Sequence, residues 1–217
     1  YEIMDRDWSS DVCSSDLTNN TKKIAVVGPN ADNINALLGN YHGTPSNPVT
    51  FINGLNDYVG KKAEITYFKG VDLVKNGDDG LNLLSDSIIN EVKKSDMAIF
   101  VGGLDATWEG EEMPGGIDVD GFYNGDRTKI ELPEIQQKAI KDMIKTGTPV
   151  VLVLMAGSSI ALNGLDKELE AILMAWYPGQ RGGDAITSVL FGDYNPGGKL
   201  PVTFYSSTSE LPDFKDY

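Results

Sequence analysis

Apolar runs without polar alternation, separated by helical patterns, constrain the fold of this chain more than any other feature. The clearest run is residues 149–155, Pro-Val-Val-Leu-Val-Leu-Met. A strand of this composition is typical of a parallel sheet that is covered on both faces. The same reasoning predicts strands at residues 23–28, 63–68, 97–101, 149–155 and 171–176, and a short last strand at 200–204.

The segments between these strands carry helical signals. Apolar residues at helical spacing predict helices at residues 50–58, 87–94, 132–145 and 181–190. Strands that alternate with helices predict an α/β fold with a mainly parallel sheet sandwiched by helices. Gly182 and Gly183 begin the last helix but form neither a G-x-G-x-x-G nor a P-loop pattern. We therefore interpret them as tight packing between a strand and a helix, not as a phosphate cradle.

The first 17 residues do not share this organisation. They are polar, and residues 11–17, Asp-Val-Cys-Ser-Ser-Asp-Leu, resemble the translation of a common sequencing adapter. We interpret residues 1–17 as a non-native segment and expect the domain to span residues 18–217. Cys13 is the only cysteine of the chain and lies in this segment, so neither disulfides nor cysteine chemistry is expected.

Charge and composition argue against several classes of partner. The formal net charge is −14, which is unfavourable for nucleic acid and for anionic membranes. No window approaches 18 uninterrupted apolar residues, so no membrane span is predicted.

The single histidine, His42, and the scattered acids supply no preformed metal-ligand set, so no metal is expected. Ser158 and Ser159 follow a strand without a nucleophile elbow, so no serine nucleophile is predicted. A neutral ligand such as a sugar remains compatible with this composition.

Three carboxylates crowd into four positions soon after the predicted strand at 97–101. Residues 108–113 are Trp-Glu-Gly-Glu-Glu-Met, and Gly-Asp-Arg follows at 125–127. Ligands of an open α/β sheet bind beyond the carboxyl ends of its strands, so this acidic loop is a candidate for acid/base chemistry. The alternative is an ordinary solvated loop, because carboxylates are mostly exposed.

Several motifs, in the same order along the chain, resemble the C-terminal domain of glycoside hydrolase family 3. They are residues 23–32 with 37–41, the acidic loop with 125–127, Leu132-Pro133, Ala-Trp-Tyr-Pro-Gly-Gln-Arg-Gly-Gly at 175–183, and 191–204. Arg181 stands where the family usually has Glu or Ala. The pattern is most similar to that of β-xylosidases and related β-glucosidases. The resemblance implies a three-layer, six-stranded sandwich with one antiparallel strand.

The resemblance also implies that this chain is a fragment of a larger enzyme. Family members carry an N-terminal (β/α)8 barrel with the nucleophilic Asp and most of the sugar-gripping subsite, and many continue into a fibronectin type III-like domain. We therefore expect a retaining exo-β-glycosidase that acts on terminal β-linked xylosyl or glucosyl residues of oligosaccharides or aryl glycosides. It needs no cofactor, and a periplasmic or extracellular location is expected. Without the barrel, the fragment is expected to be inactive.

The resemblance assigns the proton donor to the acidic loop. The family's acid/base glutamate lies in a pattern like Ser-Gly-Glu-Gly, which falls on Glu111. Glu109 stands in place of the usual small residue and Glu112 in place of the second glycine. The register is therefore open, with Glu109 as the runner-up and Glu112 as a third alternative.

Other site residues are expected near this loop. The resemblance favours Tyr41 as a wall of the leaving-group subsite, with His42 beside it as a substrate-binding candidate or an ordinary hydrogen-bonded histidine. Trp108 suits either a sugar ring or packing against the sheet edge. Arg127 is expected to act as a structural carboxylate clamp.

Two other functions are open to an α/β domain of this kind. The first is a non-catalytic carbohydrate-binding or scaffolding domain. The second is a Rossmann-type nucleotide-binding enzyme, which needs a glycine fingerprint after the first strand. Residues 29–32, Pro-Asn-Ala-Asp, supply no such fingerprint.

Overall fold

A computed structural model of the protein describes residues 21–75, 84–109, 118–213 and 215–216. The strands in chain order are β1 (Lys23–Val27), β2 (Glu64–Phe68), β3 (Met97–Gly103), β4 (Asp118–Val119), β5 (Phe122–Tyr123), β6 (Asp126–Arg127), β7 (Val150–Met155) and β8 (Ala171–Met174). Five of them form one parallel sheet in the order β2-β1-β3-β7-β8. The short strands β4, β5 and β6 form a separate antiparallel sheet.

Among the described residues, four α-helices cover the parallel sheet in two layers. They are α1 (Phe51–Val59), α2 (Asp86–Lys93), α3 (Glu134–Ile144) and α4 (Gly182–Leu190). Side chains of β1 alternate between the two layers: Ile24 and Val26 pack with α1 and α4, whereas Ala25 and Val27 pack with α2 and α3. The predicted α/β sandwich with a mainly parallel sheet is confirmed. None of the described helices is long and apolar enough to cross a bilayer.

The strand order places a topological switch between β1 and β3. From β1 the chain crosses to β2 on one side and then to β3 on the other, so the loops that follow β1 and β3 diverge at the carboxyl edge. The two strand ends approach closely at Gly28, where an added Cβ would lie 2.2 Å from the carbonyl oxygen of Val101. The acidic loop therefore leaves the sheet beside the crevice in which such folds bind ligands.

One predicted strand is wrong. Residues 200–204 have no strand geometry, and the described antiparallel pairing lies in the small sheet instead of in a sixth strand of the main sheet. Val202 is 54% exposed, and Pro201 has no N–H for a ladder hydrogen bond. The segment contacts the domain through the ring of Phe204, whose centroid lies 6.1 Å from that of Trp176.

Both glycines at the start of α4 serve close packing, as predicted, but neither packs against a strand: Gly182 faces the side chains of Pro178 and Leu37, and Gly183 faces the start of α1. A Cβ on Gly183 would lie 2.0 Å from the carbonyl oxygen of Thr50, the residue before α1. A Cβ on Gly54, within α1, would lie 2.4 Å from the carbonyl carbon of Gly183. The α1–α4 layer therefore depends on the absence of side chains at this crossing.

Candidate active site

The turn that follows β3 is held firmly before the acidic loop begins. The backbone N–H of Leu104 donates to the carbonyl of Met155 at 2.7 Å, which continues the pairing of β3 with β7. The next residue, Asp105, is buried and accepts hydrogen bonds at 3.0 Å from the backbone N–H of Thr107 and from Nδ2 of Asn33. Since Asn33 follows β1, these contacts join the two loops at the topological switch.

Of the three acids of the loop, Glu109 is the one that lies within the described residues, and several hydrogen-bond donors converge on it. The backbone N–H of Gly157 donates to Oε2 at 2.7 Å, the hydroxyl of Ser158 donates to Oε1, and the phenol of Tyr177 donates to Oε2. Nδ2 of Asn40 donates to the backbone carbonyl of Glu109 at 2.7 Å. Three donors on two oxygens are the pattern of an ionised carboxylate, which only accepts hydrogen bonds. These contacts hold Glu109 at the start of the loop.

The phenol of Tyr177 is well suited to donate a hydrogen bond to Glu109. Burial raises the pKa of its phenol well above the ordinary value, and the hydrogen bond to Glu109 and the charge of Glu109 raise it further. The phenol therefore remains a donor. Its ring lies against two glycines, because a Cβ on Gly157 would be 2.8 Å from Cε2 and one on Gly39 would be 3.3 Å from Cδ2.

Arg127, on β6, lies on the other side of Ser158. Its Nη1 donates to Oγ of Ser158 at 2.8 Å and to the carbonyl of Ser159 at 3.1 Å, while Nη2 donates to the carbonyl of Glu131 at 3.3 Å. Burial lowers the pKa of Arg127, and the charges of Glu109 and Glu131 oppose that shift. The expected structural role fits these contacts. Within the described residues, however, the guanidinium bonds to hydroxyl and carbonyl oxygens instead of clamping a carboxylate.

The other two glutamates of the loop, Glu111 and Glu112, lie outside the described residues. The assignment of the proton donor to Glu111 therefore stays a prediction. The described chain resumes at residue 118 and forms the small sheet that ends with Arg127.

Residues 40–43 are brought to the start of the acidic loop by the hydrogen bond from Asn40. Tyr41 is 91% exposed and has a φ of 61°, a conformation that is strained for a bulky residue and is often found at functional sites. His42 is exposed, and its Nδ1 lies 2.7 Å from the carbonyl of Gly43. The hydrogen bond from Asn40 thus ties the segment that carries both candidates to Glu109.

Trp108 has features of both roles that the sequence leaves open. Its ring packs edge-on against Phe122, with 5.4 Å between centroids, and contacts the core beneath α2 and α3. It also lines a cleft of about 560 Å³ at the carboxyl ends of β1, β2 and β3, together with Asp32, Tyr67 and Lys69, among others. Trp108 thus joins the loop to the core and borders open space.

Sequence reasoning missed the partners of Glu109. The sequence suggests Ser158 only as a nucleophile candidate that lacks an elbow, and it assigns no role to Tyr177 or Asn40. A signal for the last two was present, since both lie inside motifs shared with the resembled family, at 37–41 and 175–183. Their convergence on Glu109 requires residues up to 69 positions apart in the chain.

Comparison with known families gives one extensive match. The family described as the glycosyl hydrolase family 3 C-terminal domain matches residues 17–217. A xylan 1,4-β-xylosidase of Xylanibacter ruminicola is 48% identical over 137 residues, which cover 63% of this chain and 16% of the relative. A periplasmic β-glucosidase of Salmonella typhimurium is 36% identical over 199 residues, which cover 87% of this chain and 26% of the relative. The chain thus spans only a minor part of these curated relatives.

Solved structures give the same result. A family 3 exo-β-xylosidase, solved with a xylobiose aziridine probe, superposes with a TM-score of 0.67 at 26% identity, over 83% of this chain and 21% of that one. A β-glucosidase of Erythrobacter marinus gives a TM-score of 0.73 at 28% identity, over 89% of this chain and 27% of that one. Both similarities support the same fold.

Proposed function

The chain belongs to glycoside hydrolase family 3 as the C-terminal domain of that family, and from this we propose that it supplies the general acid/base of a retaining exo-β-glycosidase. The completed enzyme joins this domain to a (β/α)8 barrel that carries the nucleophilic Asp. Its substrate is a terminal β-linked xylosyl or glucosyl residue of an oligosaccharide or an aryl glycoside. The named activities of the relatives, β-xylosidase and β-glucosidase, support this substrate class.

The reaction needs two carboxyl groups about 5–5.5 Å apart across the scissile bond. The barrel Asp attacks the anomeric carbon while Glu111 protonates the departing glycosidic oxygen. In the second step Glu111 takes a proton from water, which attacks the same carbon and releases the sugar. Glu111 must therefore hold a proton before the first step and lose it before the second.

The observation that carries this assignment is the set of donors on Glu109. A carboxylate that accepts three hydrogen bonds from Gly157, Ser158 and Tyr177 is poorly placed to give a proton to a substrate. This favours Glu111, two residues further along the loop, over Glu109. Glu112 remains the alternative within the same loop.

Three described side chains are proposed to contact the substrate. Tyr41 presents an exposed ring near the start of the acidic loop and forms a wall of the leaving-group subsite, with His42 next to it. Trp108 borders the cleft at the carboxyl edge and offers an aromatic face to a sugar. A periplasmic or extracellular location is proposed from the periplasmic relative.

The test uses the completed enzyme with its barrel. Glu111→Ala should slow glycosylation by about 10²–10⁴-fold, more for xylobiose than for a 2,4-dinitrophenyl β-xyloside, because a good leaving group needs less protonation. Azide should restore activity on the activated substrate. If Glu109→Ala or Glu112→Ala gave this behaviour instead, the assignment to Glu111 would be wrong.

The 217-residue chain itself provides a second test. Since it lacks the proposed nucleophile, it should not hydrolyse p-nitrophenyl β-xyloside, and measurable turnover would contradict the proposal. Titration calorimetry of the 217-residue chain with xylobiose distinguishes the proposed function from the alternative. Tight binding without a barrel would favour a non-catalytic carbohydrate-binding domain.

A further inference from the structure

We propose that Ser158 is a positioning residue that joins the start of the acidic loop to the end of the small sheet after it, and thereby influences where the proton donor of the proposed function can reach. The joined set Glu109–Ser158–Arg127 is called here the Ser158 bridge. The inference rests on the proposed function for its catalytic meaning, whereas the bridge itself is a feature of the described structure.

The bridge connects Glu109, at the start of the acidic loop, with Arg127, the last residue of the small sheet that follows the loop. The hydroxyl of Ser158 donates its hydrogen to Oε1 of Glu109 and accepts a hydrogen bond from Nη1 of Arg127 at 2.8 Å. A serine hydroxyl can do both at once, because it has one hydrogen and two lone pairs. The side chains of Glu109 and Arg127 are therefore joined through the single hydroxyl oxygen of Ser158.

The neighbours of Ser158 support both ends as well. The backbone N–H of Gly157 donates to Oε2 of Glu109 at 2.7 Å, and the carbonyl of Ser159 accepts from Arg127 at 3.1 Å. These three consecutive residues come shortly after β7, whose residues are all buried. A rigid strand end thus holds both Glu109 and Arg127.

Charge strengthens the bridge. Arg127 is a partly buried cation, and Glu109 is the opposite charge on the far side of the hydroxyl. The hydroxyl is polarised from both sides, and hydrogen bonds in such a chain reinforce one another. Without this oxygen, Glu109 and Arg127 each lose one hydrogen bond. The free-energy cost of removing the two charged groups from water is then less well compensated.

The consequence concerns Glu111, which follows Glu109 by two residues. Joined ends restrict the conformations open to the segment between them. A proton donor must lie within hydrogen-bond reach of the glycosidic oxygen, and a misplacement of about 1 Å can cost about 10²-fold in rate. The bridge therefore limits the reach of the acid without touching the substrate.

The first test uses the 217-residue chain and hydrogen exchange measured by mass spectrometry. Ser158→Ala should speed exchange about tenfold in peptides that cover residues 104–109 and 122–127. Ser158→Thr, which keeps the hydroxyl, should restore slow exchange. Ser95→Ala is the matched control, because Ser95 also donates one partly buried hydrogen bond, to the carbonyl of Glu91 at 2.9 Å before β3, at the opposite edge of the sheet. Equal exchange of these peptides in Ser158→Ala and Ser95→Ala would overturn the bridge, independently of the activity of the completed enzyme.

The second test uses the completed enzyme. Ser158→Ala should lower kcat/KM for xylobiose about 10–100-fold, with a smaller loss for 2,4-dinitrophenyl β-xyloside, and Ser158→Thr should recover most of it. A loss independent of the leaving group, or no loss while Glu111→Ala is impaired, would overturn the positioning role. If Glu111→Ala kept full activity on xylobiose, the proposed function would fail, and the exchange result in the 217-residue chain would still decide the bridge.

Discussion

Tyr177 donates its phenolic hydrogen to Oε2 of Glu109, although the two residues lie 68 positions apart in the chain. Tyr177→Phe removes this donor from a partly buried carboxylate and should destabilise the domain by about 1–3 kcal/mol. Glu109→Gln should also destabilise it, since it removes the charge. Because the residues share one contact, the double variant should lose less than the two single losses added together. Urea unfolding of the four proteins measures this, and additivity within about 0.5 kcal/mol would contradict the coupling.

The α1–α4 crossing gives a second prediction. Gly183→Ala places a Cβ where the carbonyl of Thr50 already lies, 2.0 Å away, and backbone must move to admit it. We expect a loss of about 1–3 kcal/mol in the free energy of unfolding. Gly197→Ala is the matched control, since a Cβ there has nothing within 4 Å. Thermal unfolding that lowers Tm equally in both variants would argue against close packing as the cause.

The third prediction concerns pH and the contact between Glu131 and Thr208. Burial alone would raise the pKa of Glu131, but hydrogen bonds from the hydroxyl and the backbone N–H of Thr208 bring it below its ordinary value. A lowered pKa in the folded state gives stability above the unfolded pKa, about 4.3, and that stability is lost as pH falls through the folded pKa.

Thr208→Val removes the hydroxyl donor of that contact. It should destabilise the domain by about 1 kcal/mol at pH 7 and by less at a second pH, low enough for the carboxylate of Glu131 to take up a proton in the folded domain. Urea unfolding at the two pH values measures the difference. A destabilisation of equal size at both would show that the charge of Glu131 plays no part.

The fourth prediction tests the domain boundary. We propose that residues 1–17 do not belong to the domain, whose first strand begins at Lys23. A chain from which they are deleted should unfold cooperatively, with a free energy of unfolding within about 0.5 kcal/mol of the full chain. Loss of cooperative unfolding after the deletion would show that the segment contributes to the fold.

Much of the fold follows from local sequence pattern. The apolar run at 149–155 is found as the strand Val150–Met155, and the helix predicted at 50–58 is found as Phe51–Val59. Such elements are predictable because a buried face leaves a periodic trace in neighbouring residues. The segment 200–204 looked similar in isolation, yet a strand also needs a partner edge, and no local pattern shows whether one is available.

The candidate site is likewise predictable in part from local sequence and in part only from tertiary contacts. The crowding of carboxylates after an apolar run places an acidic loop at the carboxyl edge of the sheet, and this required only adjacent residues. The role of Glu109 required Ser158 and Tyr177, which reach it from the ends of β7 and β8. The sequence alone therefore determined which segments form strands and helices and which loop carries the acids. Only the tertiary structure decided what holds the described end of that loop, because hydrogen bonds between distant residues form when parallel strands bring their ends together.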